Sequence, residues 1–274
     1  MKRVFGFVLI FFAVSVNTFG GSVSDYYFLS VSSENLNSRI KLNGIPLFET
    51  ASMSSSQDQP VNIWLMPANN KIEVSAEVID RKLPHSLMAS LFLHDSKEET
   101  PTPKLEFFVF DLAKTYPDKD VYTFKYSIDI NERFPKLTEV WSSGGRITEV
   151  KKQDVGQMVS IVKSLEKNIK ENNIDEALKI LDYKISEDAR SEGKDKIRIL
   201  DASKESFSFL FSQQNIKSFS VSDDNVAYEI VGGSHLVRLF SKSGAEALRL
   251  ESDEFEFEIP IYFARKQEKW VIAR

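Results

Sequence analysis

The feature that most constrains this chain is a change in the spacing of its apolar residues. Up to Ile130 they alternate with polar ones. In "NKIEVSAEV", Ile72, Val74, Ala76 and Val78 fall on one side, and Lys71, Glu73, Ser75 and Glu77 on the other. From Gln153 they recur at three and four residues: Val155, Met158, Val159, Val162, Leu165 and Ile169. A period of two specifies a sheet with one buried face, and a period near 3.6 an amphipathic helix. The segment between them loses both patterns and contains Ser142-Ser143-Gly144-Gly145. The expected organisation is therefore a β-sandwich domain over 21–135, a linker over 136–152, and an α+β domain over 153–274. A chain of 274 residues is long enough for two such domains.

In the first half the expected strands are "DYYFLSVS", "SRIKLNGIPLFE", "VNIWLM", "NKIEVSAEV", "LMASLFLH", "KLEFFVFDL" and "VYTFKYSIDI". About seven short strands with polar turns and no helix between them point to an antiparallel sandwich. Turn chemistry divides them at Asn43-Gly44, Pro67 to Asn70, Pro101-Thr102-Pro103 and Pro117 to Asp120. "IKLNGIPLFE" followed by "VNIWLMPANNKIEV" resembles the accessory jelly-roll sandwich found beside some glycosidase catalytic domains. That resemblance implies a sandwich. Trp64 is expected as a core or inter-strand aromatic rather than a sugar platform.

In the second half, "NNIDEALKILDYKI" reads as a second helix with Asn173 as its cap and Ile174, Ala177, Leu178 and Leu181 inward. "SKESFSFLFSQ" reads as a short third helix carrying Phe207, Leu210 and Phe211. Strands follow. In "NVAYEIV", Val226, Tyr228 and Ile230 share a face. "HLVRLF" comes next. In "EFEFEIPIYFAR", Phe255, Phe257, Ile259, Ile261 and Phe263 point in, and Glu254, Glu256 and Glu258 point out. "KWVIAR" closes the chain. This order, with the "NNIDEALKI" phrase and the final "IPIYFARK" and "KWVIAR" pair, resembles the nuclear transport factor 2-like family, which includes ketosteroid-isomerase-like enzymes. The resemblance implies helices packed on a curved antiparallel sheet that forms a cone.

The first residues, "MKRVFGFVLIFFAVSVNTFGG", place Lys2 and Arg3 before an apolar run from Val4 to Val16. That run falls short of the roughly 20 residues needed to span a bilayer. Small residues at Thr18 and Gly20 predict a secretory signal cleaved after Gly20. Losing Lys2 and Arg3 would leave 33 basic against 40 acidic residues, a net charge of −7. Interspersed charges of that sign disfavour a nucleic-acid partner. The chain has no cysteine, which excludes disulfides, thiolate nucleophiles and Cys-ligated zinc. It also has no Asn-x-Ser/Thr site. Together these point to a bacterial periplasmic or secreted protein that does not insert in the membrane once its leader is removed.

No phosphate-binding loop, dinucleotide fingerprint or His-Glu-x-x-His motif occurs. "GGSHL" has Gly232 and Ser234 of a nucleophile elbow, but Leu236 replaces the last glycine, so a hairpin turn is expected there. His85 and His94 sit apart from His235 in the sequence, and no metal site or cofactor is expected. Asp118 to Asp120 reads as a solvated turn rather than a calcium loop. The cone implied by the resemblance offers weak general-base candidates in Asp182, Tyr228 and His235, with Tyr183, Tyr262 and Trp270 as pocket candidates. The expectation is a non-enzymatic binding protein of the cell envelope, with a protein partner or a small apolar ligand. The alternative is a small-molecule isomerase or hydrolase using an apolar pocket of the second domain. Glu254, Glu256 and Glu258 are the expected interaction surface.

Overall fold

The computed structural model describes residues 26–94, 103–130, 139–142, 145–212, 217–252 and 256–274. The expected leader and Glu254, Phe255 and Pro101-Thr102 lie outside these residues. The chain forms two compact units, one of Gly20–Leu137 with Ser191–Gly193, the other of Thr138–Arg190 with Lys194–Arg274.

The first unit is all antiparallel strands: β1 (Tyr26–Glu34), β2 (Leu36–Leu42), β3 (Ile45–Thr50), β4 (Ser54–Pro60), β5 (Asn70–Val78), β6 (His85–His94), β7 (Pro103–Thr115) and β8 (Val121–Ile128). They form two four-stranded sheets, ordered β4-β1-β6-β7 and β3-β2-β5-β8. Leu29, Val31, Leu87, Ala89 and Leu91 of the first sheet and Ile40, Leu42, Ile72, Val74 and Ala76 of the second are buried. Aromatic pairs join the sheets: Phe108 to Tyr126 at 5.0 Å and Phe110 to Phe124 at 4.9 Å between ring centroids. Each pair adds a directional ring–ring term to the area buried.

Two expectations are corrected here. "VNIWLM" is not a strand, because Asn62–Trp64 forms a single 3-10 turn. The missing strand lies just before it, in "SSSQDQP", which pairs with β1 from Ser54 to Pro60. Its serines and glutamines give no apolar alternation, and it sits at a sheet edge, where side-chain burial does not decide the structure. The Pro67 to Asn70 break is a turn, as the sequence implies. Asn69 has φ 58°, and Asn70, fully buried, accepts from the Met66 N–H at 2.7 Å. Asn43 donates to the Trp64 carbonyl at 2.8 Å and to Asn70 Oδ1 at 3.0 Å. Two polar side chains, Asn43 and Asn70, thus satisfy a backbone that leaves regular structure. Trp64 itself is half-buried.

The second unit opens with α1 (Glu139–Ser142), then α2 (Lys152–Lys170), α3 (Ile174–Ile180), α4 (Asp182–Ser191) and α5 (Lys196–Ser212). The stripe Met158, Val159, Val162, Leu165 and Ile169 of α2 is buried as its spacing predicts. The second expected helix divides at Leu181 into α3 and α4, and the third is longer than its phrase suggests. The strands are β9 (Lys217–Ser220), β10 (Val226–Val231), β11 (Leu236–Ser241), β12 (Leu248–Glu251), β13 (Glu256–Ile259), β14 (Ile261–Lys266) and β15 (Lys269–Ile272). They form sheets ordered β10-β11-β14-β15 and β13-β12-β9.

The single strand expected in "EFEFEIPIYFAR" is therefore two strands in two sheets. Pro260 lacks the N–H a ladder requires, so the run breaks there. Phe257 and Ile259 still pack on the core that buries Ile261 and Phe263. Of the segment expected as linker, Ile147 and Val150 belong to this same core. The fold class observed is an antiparallel β unit followed by a unit of helices and antiparallel sheets.

Candidate functional site

Of the residues proposed for a pocket, Trp270 and Tyr262 do not share a sheet face. In β14 and β15, Arg265 pairs with Trp270, while Tyr262 pairs with Arg238 of β11. Alternation places Trp270 on the sheet face against α2 and Tyr262 on the opposite face. Trp270 is buried and donates from Nε1 to Asp154 Oδ1 of α2 at 2.9 Å. Asp154 also accepts from the Lys151 N–H at 2.9 Å, closing the start of α2, and from Arg265 at 3.2 Å. The Trp270 bond, with these donors, holds the Asp154 carboxyl below the usual aspartate range.

Tyr228 shares the face of Leu239, its register partner, but lies on the edge strand β10 and is 43% exposed. Its hydroxyl donates to the Val150 carbonyl at 3.3 Å. Asp182 begins α4 in solvent, bridged to Lys196 at 2.5 Å. His235 sits half-buried after the Gly232-Gly233-Ser234 turn, edge-on to Trp141 with centroids 5.9 Å apart. Ser234 has φ 73° and its carbonyl accepts from the Ile147 N–H, so it is a turn residue with no helix after it. His94 of the first unit stands edge-on to Phe28 at 5.4 Å. Asp118 accepts from the Tyr122 hydroxyl at 2.9 Å, whereas Asp120 bridges Arg81 at 3.1 Å, so the pair does not share one cation position.

Tyr183 and Tyr262 do stand in polar surroundings. Burial pushes the Tyr262 hydroxyl above its ordinary range, against the opposing pull of Arg238. Burial also raises Tyr183, helped by the charges of Glu187 and Glu139. Lys266 Nζ lies 4.6 Å over the Tyr183 ring. Neither hydroxyl is poised to exchange a proton near neutrality.

Two charged clusters were not legible in the sequence. In the first, the fully buried Glu187 accepts from the Glu139 N–H at 2.9 Å and the Val140 N–H at 3.1 Å, capping α1. Arg190 bridges Glu139 at 3.0 Å and Glu187 at 3.1 Å, and the buried Arg274 approaches Glu187 at 3.5 Å. Lys184 bridges the buried Asp188 at 2.6 Å. "SEDARSE" reads as an exposed helical surface, and only the fold shows that one side of it is covered. In the second cluster, Arg238 bridges Glu229 at 3.2 Å and also pairs with Glu246. Burial raises the Glu246 carboxyl despite Arg238, and Arg238 remains charged.

The outer face of β9, β12 and β13 sets an exposed aromatic among charged side chains. Its register places Phe219, Arg249 and Glu258 in one row and Lys217, Glu251 and Glu256 in the next. Arg249 lies 4.7 Å over the Phe219 ring, 3.3 Å from Glu256 and 3.8 Å from Glu251. Glu258 remains exposed, and Phe219 is 44% exposed. Two of the three expected glutamates are thus described on one face, but Arg249 lies between them and the aromatic. Among the described residues no three His, Asp or Glu side chains stand close enough to hold a metal ion. No helix among them is long and apolar enough to cross a membrane. No protein family, curated protein or solved structure matches this chain.

Proposed function

We propose that this chain is an exported, non-enzymatic binding protein whose second unit has a nuclear transport factor 2-like form and docks a basic segment of an envelope protein. The observation that carries this reading is the outer face of β9, β12 and β13. There an exposed Phe219 lies under Arg249, and Glu251, Glu256 and Glu258 share the face with Arg249 and Lys217. An aromatic anchor on a face that also carries acids fits a partner that offers an aliphatic or aromatic side chain next to Lys or Arg. The separation of Trp270 and Tyr262 onto opposite sheet faces favours this reading over isomerase or hydrolase chemistry, which needs acid, base and substrate in one cavity.

The test pairs Phe219→Ala with Glu258→Lys. Both side chains are exposed, so melting is expected to shift by only a degree or two. Proteins captured from envelope extract at low salt are compared between wild type and the double variant. Loss of a captured protein with unchanged melting supports the docking face, and identical capture sinks it. A small apolar ligand would instead show as displacement of an apolar fluorescent dye that the double substitution leaves unaffected.

A further inference from the structure

Among the described residues the two sheets end on four edge strands, of which β7 is the longest. β3 carries Pro46 inside its run and β4 is polar and ends at Pro60, whereas β7 and β8 both carry lysine, at Lys114 and Lys125, and β8 is shorter at 8 residues. Proline and lysine are common devices against edge pairing. β7 spans 13 residues, Pro103–Thr115, and has no proline after its first position. It pairs with β6 on one side and ends the sheet on the other. Val109 is 57% exposed and Leu105 39% exposed, and Met88 on the adjoining strand is 58% exposed.

Part of the strand is also symmetric about Phe110. Its ladder with β6 shifts register three times; the shift between Leu93↔Leu105 and His94↔Pro103 has no counterpart, and the other two flank Phe110. One shift falls between the pairs Leu91↔Phe108 and Phe92↔Glu106, which leaves Phe107 as the extra residue. The other falls between Leu87↔Leu112 and His85↔Thr115, which leaves the extra residue at Ala113 or Lys114. An antiparallel copy of β7 centred on Phe110 sets Phe107 opposite Ala113, so the two irregular stretches face each other to within one residue. The same register sets Phe108 opposite Leu112, Val109 opposite Asp111, and Glu106 opposite Lys114. Because each shift reverses the side-chain alternation, Glu106 and Lys114 both fall on the outer sheet face. Both are exposed, and Lys114 already reaches Glu34 at 2.6 Å on that face.

From these features we infer that β7 is a self-pairing edge. Two copies of this chain join antiparallel through it into a continuous eight-stranded sheet with two Glu106–Lys114 pairs across the axis. Opposite charges directly across a pair stabilise it, and like charges oppose it. The interface is isologous, as a two-fold dimer requires. The two Asp111 carboxylates lie diagonal to one another across the axis, which tempers affinity. An edge contact of this length is at the small end of interfaces, so the expected dissociation constant is on the order of 10–100 μM.

The test uses protein expressed from the full-length sequence, followed by sedimentation equilibrium from a few micromolar upward. Wild type is expected to pass from monomer to dimer. Glu106→Lys places lysines opposite each other twice, and Lys114→Glu does the same with glutamates, so each variant alone is expected to remain monomeric with near-native melting. Mixing the two variants restores opposite charges at both positions, and a heterodimer is expected in the mixture. Val109→Lys, which changes an exposed side chain, should abolish association independently. A wild type monomeric throughout the concentration range would overturn the inference. So would a dimer that survives both charge reversals, or a mixture no more associated than its components.

Discussion

Single residues hold this protein together most visibly where a polar group is buried with its partners. Asp154 joins three donors: the Trp270 indole, the Lys151 N–H and the Arg265 guanidinium. Its carboxyl is held low in the folded state, so it stabilises the fold above the unfolded aspartate value of about 3.9. That contribution is lost as pH falls through the lower, folded value. Asp154→Asn keeps the shape but removes the charge and one acceptor oxygen, and is expected to cost about 1–3 kcal/mol at neutral pH. In thermal melts the gap between variant and wild type should narrow as pH drops below about 4. A gap independent of pH would show that the carboxylate's charge is not what matters. His85 presents the opposite case. It is fully buried on β6 and neither ring nitrogen has a hydrogen-bond partner among the described residues, while its ring lies 5.1 Å from that of Tyr122. Replacing an unsatisfied buried polar ring with an apolar one of similar size is neutral or stabilising. His85→Phe should therefore leave melting unchanged or raise it, and a drop of several degrees would reveal a polar role. Neither environment is visible in the sequence. Asp154 reads as an ordinary first-turn acid, and His85 as one more strand residue.

At the scale of elements, what was legible followed from periodicity and turn chemistry. The α2 stripe, the β5 alternation and the Asn43-Gly44 hairpin, with φ of 56° and 82°, all appear where their residues place them. What was not legible lacked an apolar signal or depended on a break. β4 is polar and held by backbone pairing, and Pro260 divides one alternating run between two sheets without disturbing the alternation. The turn joining β10 and β11 carries a constraint of its own. Gly232 has φ +60°, and a Cβ there would meet two Trp141 ring carbons at 2.9 Å and Leu236 at 3.3 Å. Trp141 is itself buried. Alanine would face both the left-handed backbone and a rigid ring, at a cost of about 2–4 kcal/mol. Gly232→Ala should lower the melting temperature and shift the Trp141 emission, whereas Gly145→Ala, with nothing within 4 Å of the added carbon, should do neither. Equal behaviour of the two variants would mean the turn yields without displacing the ring.

For the whole molecule, the change of period anticipated a β unit followed by a helix-and-sheet unit, because each core imposes its own spacing on the residues that enter it. The candidate site was far less legible. Alternation says which residues share a face, but not which face another element covers, so Tyr262 and Trp270 read as neighbours although they lie on opposite sides of one sheet. Export is a question for the entire chain, and its argument is chemical. A protein of 274 residues without cysteine is indifferent to the redox state of its compartment. Its first twenty residues carry Lys2 and Arg3, then only uncharged residues up to Gly20, the order on which the proposed cleavable leader rests. Protein recovered from its native cell is therefore expected to begin at Gly21, with the net charge of −7 that follows from losing two bases. Mass spectrometry of the intact chain decides it. A mass that retains Met1 in the cytoplasmic fraction would remove both the export reading and the envelope partner that depends on it.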